Sequence, residues 1–306
     1  MSYNDPVLNK DIWTIKEVIT FSCDYLSKHL TSPSVRVDVE LLLAYVLGCN
    51  RIDLYLKYDQ PLSVNERNKF KELLLKRALK EPIAYIIGKK FFWEDEFYIN
   101  SSVMIPRDET EVLVENVLNY VKKNYKSDVK VNILDIGTGS GCVGVSLAKN
   151  LENINVVAVD IDNQALDVAK FNARKLNVLD KMNFIVFDAL DNREWMKLNF
   201  KFDIIVSNPP YIPLCQKDSL SQEVVKYEPH IALFANDNGL AFYKSFSQNA
   251  PYILKEQGGL FVEFGVDQNI DELSEIFVNT NYWNKNSINF YKDISKNYRV
   301  LQIHVK

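Results

Sequence analysis

The sequence has few of the residues that most often build metal sites, disulfides or hydrolytic centres. Among 306 residues there are three histidines and four well-separated cysteines, Cys23, Cys49, Cys142 and Cys215, with no Cys-x-x-Cys pair. This spacing argues against a zinc site or other metal centre and against a disulfide framework, and it fits a reducing cytoplasm. His29, His230 and His304 lie in unrelated contexts, so we interpret each as structural rather than as a base.

Strong net charge and long apolar runs are also missing. The formal net charge of −4 provides no broad cationic field, so we do not expect a direct nucleic-acid substrate. No uninterrupted apolar run approaches the roughly 20 residues of a membrane span. Residues 1–6 also lack a basic region followed by an apolar one, so we expect neither export nor membrane association. We expect a monomer.

The spacing of apolar residues predicts a small domain followed by a large one. From Asp11 to about Leu79 they recur at helical spacing, interrupted at Pro33 and Pro61, which predicts several short helices that bury against one another. Aromatic and β-branched residues around Gly88, over 83–105, instead predict a hairpin or extended connector. We therefore predict a helical domain at 1–80, a β-hairpin connector at 81–110 and a larger domain at 111–306.

In the larger domain, predicted strands and helices alternate. Strands are expected at 131–136, 155–160, 182–187, 202–207 and 259–264, and two extended stretches at 287–291 and 298–305 form a closing antiparallel pair. Alternation of this kind is typical of a parallel sheet with crossover helices. The predicted fold class is therefore α/β: a Rossmann-like, mostly parallel seven-stranded sheet with a C-terminal antiparallel strand, plus a small all-α N-terminal domain.

The first predicted strand-to-helix turn is rich in glycine. It reads Gly137-Thr138-Gly139-Ser140-Gly141, and glycines there let the backbone turn sharply and approach a ligand. The spacing Gly139-x-Gly141-x-x-Gly144 also satisfies the dinucleotide fingerprint, so the loop alone does not identify its ligand. A plain connecting turn is the alternative. A nicotinamide enzyme would need a hydride-transfer partner, and no suitable His or Lys is evident.

Carboxylates end the next two predicted strands. Asp160 can accept both ribose hydroxyls of an adenosine group, although a helix N-cap role is also compatible with its position. Asp188 and the following Ala189 end the third strand, near the expected adenine edge, where a simple turn carboxylate is the alternative reading for Asp188.

The fourth predicted strand runs into Asn208-Pro209-Pro210-Tyr211. The two prolines fix φ and remove two N–H donors, which makes a stiff loop rich in acceptors. The Asn208 side-chain oxygen and the Pro209 carbonyl can each accept one hydrogen of an NH2 group, and Tyr211 can confine a planar substrate. An amide or an exocyclic amine fits such a site, because orientation and stabilisation of positive charge on nitrogen are what a poor nucleophile needs. A Pro-rich turn is the alternative.

Over nearly the whole chain, the sequence resembles the N5-glutamine methyltransferases that modify peptide chain release factors. The matching blocks, in order, are Pro82 to Gly88 with Phe91-Phe-Trp, Ile105 to Glu111, Leu134 to Gly141, Asn208 to Ile212, Tyr227-Glu228-Pro229 with Ala232-Leu233, Gly258-Gly259 with Glu263-Phe-Gly265-x-x-Gln268, and Lys292-Asp293 with Tyr298-Arg299-Val300. The resemblance implies a class I methyltransferase fold. It also implies S-adenosylmethionine bound by the glycine loop and Asp160.

The resemblance further implies the acceptor and the partner. Asn208, Pro209, Pro210 and Tyr211 would hold the glutamine of a Gly-Gly-Gln loop, with Asn208 also beside the methyl donor, and residues 1–80 would contact the release factor. Two positions depart from the pattern: Ala189, where relatives place an aromatic residue beside adenine, and Arg107-Asp108-Glu109, where relatives have a second proline. Arg107, Glu109 and Glu111 either line the active-site mouth or form a charged helix start.

Several alternatives stay open at this level. A glutamine of a ribosomal protein suits the same site chemistry, and so does the exocyclic amine of adenine in a nucleic acid, which must be flipped out of the helix. A non-catalytic module that has lost its donor site is disfavoured by the intact glycine loop, Asp160 and Asn208. One basic run is interpreted as a solvated helix face or, alternatively, as a patch for the release factor or ribosome: Arg67, Lys69, Lys71, Lys76, Arg77 and Lys80.

Overall fold

A computed structural model describes residues 12–30 and 34–306, so residues 1–6 and the interruption expected at Pro33 lie outside the described residues. The chain divides after Gly88 into two compact units. Among the described residues, the N-terminal unit has five helices: α1 (Ile15–Ser27), α2 (Val35–Leu47), α3 (Arg51–Leu56), α4 (Val64–Ala78) and α5 (Ile83–Ile87). Its core includes the fully buried side chains Leu26, Val39, Leu42, Leu43 and Leu54.

Local sequence explains where two of these helices begin. Thr14 and Ser63 each accept the backbone N–H three residues ahead, while Glu17 and Glu66 bond back to the cap N–H. These capping boxes satisfy N–H groups that the first helical turn otherwise leaves without partners.

Two expectations for this unit are wrong in detail. Residues 83–87 are helical rather than extended, because Pro82 starts the turn and Gly88, at φ +71°, ends it. Arg77 is not part of a solvated face: it is buried and its Nε donates to Asp38 Oδ2 at 2.8 Å. The charge of Arg77 is paired inside the helical core, whereas Lys69, Lys71 and Lys76 are exposed as expected.

The C-terminal unit opens with a hairpin and then alternates strands and helices. Its elements are β1 (Lys89–Phe92), β2 (Asp95–Tyr98), α6 (Glu111–Asn124), β3 (Val131–Ile136), α7 (Cys142–Asn150), β4 (Ile154–Asp160), α8 (Asn163–Lys175), β5 (Met182–Val186), α9 (Asn192–Trp195), β6 (Phe202–Ser207), β7 (Ile212–Pro213), α10 (Gln222–Tyr227), β8 (Phe234–Ala235), α11 (Asn236–Gly239), α12 (Ala241–Ile253), β9 (Leu254–Glu263), α13 (Ile270–Val278), β10 (Asn289–Lys292) and β11 (Tyr298–His304).

The large sheet confirms the predicted fold class. Its strand order is β10-β11-β9-β6-β3-β4-β5, with β11 antiparallel to both of its neighbours and β9, β6, β3, β4 and β5 mutually parallel. The central strands β3 and β6 are mostly apolar and almost entirely buried, as expected for parallel strands covered on both faces. The chain leaves β3 toward β4 and β5 and returns on the other side as β6, so the switch point lies between β3 and β6.

None of the helices within the described ranges is both long enough and apolar enough to cross a membrane.

Candidate functional site

A cavity of about 280 Å³ opens at the carboxyl ends of the strands, at the switch point. Most residues predicted for the site line it: Gly137, Thr138, Gly139, Ser140, Asp160, Asp188, Ala189, Asn208, Pro209 and Pro210. Ser207 Oγ donates to the carbonyl of Ile136 at 2.8 Å and ties the end of β6 to the end of β3. The loops that follow these two strands therefore start from a fixed common point.

Three glycines of the loop after β3 adopt left-handed backbone conformations. Gly137, Gly139 and Gly141 have φ values of +69°, +53° and +80°, which other residues rarely tolerate. Gly137 and Gly139 border the cavity, whereas Gly141 lies behind it, where an added Cβ would be 3.1 Å from Ala169. The loop thus presents bare backbone to whatever fills the cavity.

A buried carboxylate organises this loop from beneath. Asp135 accepts the Thr138 hydroxyl at 2.7 Å and the Gly144 backbone N–H at 3.1 Å. Burial raises the pKa of Asp135 to about 6, and these two hydrogen bonds oppose the rise. Sequence analysis gave Asp135 no role, because an acid at the end of a buried strand has no periodic signature.

Asp160 faces the same loop from the end of β4. Its Oδ2 accepts the Gly139 backbone N–H at 2.9 Å and its Oδ1 accepts the Asp162 N–H at 3.1 Å. The N-cap of α8 is Asp162, whose side chain accepts the Gln164 N–H, so the capping alternative for Asp160 does not hold. Burial raises the pKa of Asp160, opposed by its backbone hydrogen bonds. A carboxylate has about four acceptor positions, more than these backbone groups use, so Asp160 can still accept a ligand hydroxyl.

Asp188 has the turn role that we considered as its alternative. Its Oδ1 accepts the Leu190 N–H at 2.8 Å, although the residue also lines the cavity. The wall here is apolar and comes from residues that sequence analysis missed, Ile161, Phe187 and Leu190, beside the predicted Ala189. Ala189 is held in place because its carbonyl accepts the Trp195 indole N–H at 3.0 Å.

The loop after β6 supplies the opposite wall. Pro209 is buried, while Asn208 and Pro210 are partly exposed at the cavity. An added Cβ on Gly137 would lie 3.9 Å from the Asn208 carbonyl oxygen, so this loop and the glycine loop face each other across a narrow gap. The glycine loop after β3 and the acceptor-rich loop after β6 therefore line the same cavity.

Tyr211 does not itself line the cavity, but it directly follows Pro210, which does. A Cβ added at Gly265 would lie 3.0 Å from the Tyr211 ring, and a Cβ added at Gly239 would lie 2.2 Å from the Tyr211 carbonyl oxygen. Gln268 joins the two glycines, accepting the Gly265 N–H and donating to the Gly239 carbonyl. Burial raises the pKa of Tyr211, so its hydroxyl stays protonated at neutral pH.

Two buried residues behind Asn208 were also missed. Asn208 Nδ2 donates to Thr110 Oγ1 at 3.0 Å, and Glu263 is buried, with no hydrogen-bond partner for its Oε2 among the described residues. Burial raises the pKa of Glu263 to about 7, opposed by the Thr110 hydroxyl and by the charge of Arg299. These residues are far apart in sequence, so only the assembled sheet brings them together.

The charged residues at the start of α6, Arg107, Glu109 and Glu111, have different partners. Arg107 pairs with Glu228, whose other carboxylate oxygen accepts the Ile105 N–H at 3.2 Å. Glu111 accepts the Trp93 N–H at 2.7 Å and so supports the hairpin turn. Glu109 remains half exposed, with an oxygen 3.9 Å from Arg299. Arg107 and Glu111 therefore make structural contacts, and none of the three lines the cavity.

Comparison with known proteins adds to this geometry. Residues 17–88 match the PrmC N-terminal domain family and residues 108–230 match the methyltransferase small domain family. The release factor glutamine methyltransferase of Chlorobaculum tepidum is 36% identical over 258 residues, covering 84% of this chain and 87% of that protein. The corresponding Geobacter sulfurreducens protein is 37% identical over 259 residues, covering 84% and 86%.

A longer relative is the bifunctional methyltransferase of Rickettsia prowazekii, which is 38% identical over 309 residues. The match covers 95% of this chain but 57% of that protein, so the chain spans little more than half of its length.

The sheet order, the cavity at its switch point and the methyltransferase domain match give the C-terminal unit the fold of a class I S-adenosylmethionine-dependent methyltransferase domain. Within that class, the chain belongs to the release factor glutamine methyltransferase family. The family resemblance seen in the sequence is thereby confirmed.

The residues present fit S-adenosylmethionine. Gly137 and Gly139 would leave room for the amino acid part of the cofactor, because no Cβ projects from the loop there. Asp160 would hold the ribose hydroxyls with its remaining lone pairs. Ile161, Phe187 and Leu190 would pack against the adenine. Bound in this way, the cofactor supplies a methyl group activated by a positively charged sulfur.

Proposed function

We propose that this protein methylates the side-chain amide nitrogen (N5) of the glutamine in the Gly-Gly-Gln loop of a peptide chain release factor. Asn208, Pro209, Pro210 and Tyr211 hold that amide beside the methyl donor. The proposal is supported by membership of the family and by the names of relatives that share most of the chain, release factor glutamine methyltransferases.

The observation that carries the proposal is the orientation of the Asn208 amide. Its Nδ2 is engaged by Thr110, and among the described residues no donor reaches its Oδ1. An acceptor at the cavity wall is what a substrate NH2 group needs, and the Pro209 carbonyl offers a second one. A loop with these acceptors and no proline N–H groups selects a donor-rich planar group over a carboxylate.

An amide nitrogen is a weak nucleophile because its lone pair is delocalised into the carbonyl group. Fixing both hydrogens of the NH2 group directs the nitrogen toward the methyl group and restricts its rotation. The same two acceptors stabilise the positive charge that develops on nitrogen, which an apolar wall would not do. The Tyr211 ring, which packs against Gly265, limits the substrate to one plane.

The proposed partner and acceptor are tested together. The protein is incubated with isotopically labelled S-adenosylmethionine and, separately, with a release factor, a ribosomal protein and DNA, and mass spectrometry locates the label. We expect label on the Gly-Gly-Gln glutamine and none when that glutamine is replaced by glutamate. Label on the ribosomal protein alone would favour the alternative glutamine substrate, and label on DNA alone would overturn the proposal.

Asn208→Ala separates acceptor binding from donor binding. We expect methyl transfer to fall by roughly 10²-fold or more, since one positioned hydrogen-bonding group is worth about that much. S-adenosylmethionine affinity, measured by calorimetry, is expected to change little. Equal loss of both would mean that the tetrapeptide is structural.

A further inference from the structure

Two separate segments of the C-terminal unit contact Tyr211. Gly265, in the loop after β9, approaches the Tyr211 ring so closely that an added Cβ would be 3.0 Å from Cδ2 and 3.1 Å from Cε2. Gly239, at the end of α11, approaches the Tyr211 carbonyl group, with 2.2 Å between an added Cβ and the oxygen. One segment therefore packs against the ring of Tyr211 and the other against its backbone, both at a residue without a side chain.

The side chain of Gln268 hydrogen-bonds both of these segments. Its Oε1 accepts the Gly265 backbone N–H at 3.0 Å, and its Nε2 donates to the Gly239 carbonyl at 3.2 Å. The Gln268 backbone N–H also donates to the Gly265 carbonyl at 3.0 Å, which closes a tight turn between these two residues. A single side chain thus bridges the segment against the Tyr211 ring and the segment against the Tyr211 backbone.

The orientation of the Gln268 amide is fixed by groups whose hydrogen-bonding roles cannot change. A backbone N–H only donates and a backbone carbonyl only accepts, so reversal of the amide would place like groups against each other at both glycines. The buried Tyr243 hydroxyl is also 3.0 Å from Oε1, and it donates there or to the Glu263 carbonyl. The bridge therefore has one favourable arrangement, which does not depend on the protonation of an acid.

The turn that ends at Gly239 depends on outside contacts for its conformation. Asp237, Asn238 and Gly239 have φ values of +54°, +53° and +86°, three consecutive left-handed conformations. For the two residues that are not glycine, this region is uncommon and costs energy unless the surroundings fix it. Asn236, just before this turn, lines the cavity. The Gln268 bond to the Gly239 carbonyl therefore holds the end of a turn that begins at the cavity wall.

From these contacts we infer that Gln268 is a positioning residue: by bridging Gly239 and Gly265 it holds Tyr211, and with it the loop that faces the acceptor, in a single position. This inference rests on the proposed function for its catalytic consequence, because Tyr211 is proposed to confine the acceptor amide. The restraint on Tyr211 itself is a property of the protein without substrate.

The first test is kinetic and uses two matched variants. Gln268→Met keeps the length of the side chain and removes the amide. Gln302→Met makes the same change at a buried glutamine of β11, outside the residues that line the cavity. On a release factor substrate we expect kcat to fall about tenfold or more in Gln268→Met, with KM for S-adenosylmethionine within about twofold of wild type. Gln302→Met should keep kcat near the wild-type value.

Two kinetic outcomes would contradict the inference. Wild-type kcat in Gln268→Met would show that the bridge does not position the acceptor loop. An equal fall of kcat in Gln268→Met and Gln302→Met would show that any loss of a glutamine amide in this unit weakens catalysis through general destabilisation.

The second test needs no acceptor and uses the prolines of the loop. In the stretch from Pro209 to Pro213 only Tyr211 and Ile212 carry a backbone N–H, since the other three residues are prolines. The Ile212 N–H donates to the Leu233 carbonyl at 3.1 Å, so it is protected from exchange while the loop stays in place. Hydrogen exchange of this stretch, measured by mass spectrometry, therefore reports on Tyr211 and Ile212 alone.

We expect this stretch to exchange about tenfold or more faster in Gln268→Met than in wild type or Gln302→Met, because the loop opens more often without its bridge. Unchanged exchange would refute the inference even if methyl transfer to a release factor is observed. Faster exchange in Gln268→Met, together with no methyl transfer by the wild-type protein, would overturn the proposed function and leave the restraint on Tyr211 established.

Folding of each variant is checked by circular dichroism and thermal unfolding. If Gln268→Met does not fold, Gln268→Glu takes its place, because it keeps the acceptor for the Gly265 N–H and replaces only the donor to the Gly239 carbonyl. The ionised carboxylate would face that carbonyl, so we expect the same fall in kcat and the same faster exchange. Wild-type exchange and kcat in Gln268→Glu would overturn the inference.

Discussion

The Gly144 backbone N–H donates to Asp135 Oδ2 at 3.1 Å, and an added Cβ on Gly144 would lie 2.7 Å from that same oxygen. The first turn of α7 thus approaches the end of β3 as closely as a side chain allows. This contact gives a physical reason for the third glycine of the Gly139-x-Gly141-x-x-Gly144 spacing. The same requirement for close helix–strand packing appears in dinucleotide-binding folds, which is why the motif alone did not identify the ligand.

Gly144→Ala is expected to break the bond to Asp135 and lower the free energy of unfolding by about 1–3 kcal/mol. S-adenosylmethionine should also bind more weakly, because Asp135 holds the glycine loop through Thr138. Ser146→Ala is a matched control on α7, since the buried Ser146 hydroxyl has no hydrogen-bond partner among the described residues. Urea unfolding measures the loss of stability, and calorimetry measures the loss of S-adenosylmethionine affinity. Losses in Gly144→Ala that are smaller than those in Ser146→Ala would contradict the prediction.

Asp160→Asn is expected to reduce S-adenosylmethionine affinity by roughly 10- to 100-fold, as for the loss of a hydrogen bond to a charged group. An asparagine has one acceptor oxygen, so its NH2 group would face the N–H of either Gly139 or Asp162. Asp191→Asn applies the same chemical change outside the cavity, at the N-cap of α9. Calorimetric titration should show near wild-type S-adenosylmethionine affinity for Asp191→Asn. A similar loss of affinity in both variants would argue for a general charge effect.

Glu228→Ala is expected to destabilise the protein by about 2–3 kcal/mol. The change leaves Arg107 and the Ile105 N–H without their shared carboxylate, and buried pairs typically cost about 3–5 kcal/mol when broken. We take a lower value because the Arg107 side chain is 33% exposed. Asp108→Ala removes the carboxylate of the exposed Lys90–Asp108 pair and should cost less than about 1 kcal/mol. Thermal or urea unfolding yields both values, and similar losses would contradict the prediction.

The buried acids predict a stability that falls as pH rises. Folding raises the pKa of Glu263 from 4.5 to about 7 and that of Asp135 from 3.8 to about 6. The native protein therefore binds protons more tightly than the unfolded chain, so the free energy of unfolding decreases from about pH 4 to pH 7. For Glu263 alone, the change corresponds to about 3 kcal/mol.

Glu263→Gln removes this titration, so its unfolding free energy should depend less steeply on pH between about 4.5 and 7. Asp135 still titrates in the variant, and the groups whose charges act on Glu263, Arg299, Glu109 and Arg107, are unchanged. Urea unfolding at several pH values measures the slope. Identical slopes in wild type and variant would show that Glu263 is ionised throughout this range.

Local patterns predicted most of the sheet and the glycine loop. The strands after Val131 appear where apolar runs predicted them, because central parallel strands are buried on both faces. The helix α5 was missed since Tyr85, Ile86 and Ile87 favour strands, while its real signals were Pro82 before it and Gly88 after it. Strand β9 starts at Leu254, earlier than expected, and continues past Gln257 at φ +60°.

Support for the site was not predictable in the same way. The contact of Thr110 with Asn208 depends on the start of α6 lying beside the loop after β6, and Thr110 alone fits an ordinary helix-cap role. Arg77 is a similar case, because its helix reads as basic and exposed while this one side chain finds Asp38 inside the core. Sequence periodicity reports which face of an element is apolar, and it does not report which polar groups meet.

The pairing of β3 with β6 has a consequence for how this site can change over time. The two strands are in parallel register from Ile133 beside Ile204 to Ile136 beside Ser207, and the loops for donor and acceptor begin directly at their ends. If the proposed function holds, the spacing between the methyl group and the target nitrogen is set by a backbone ladder rather than by exchangeable side chains. A slip in the register of this ladder would then misalign any acceptor, whatever the side chains around it.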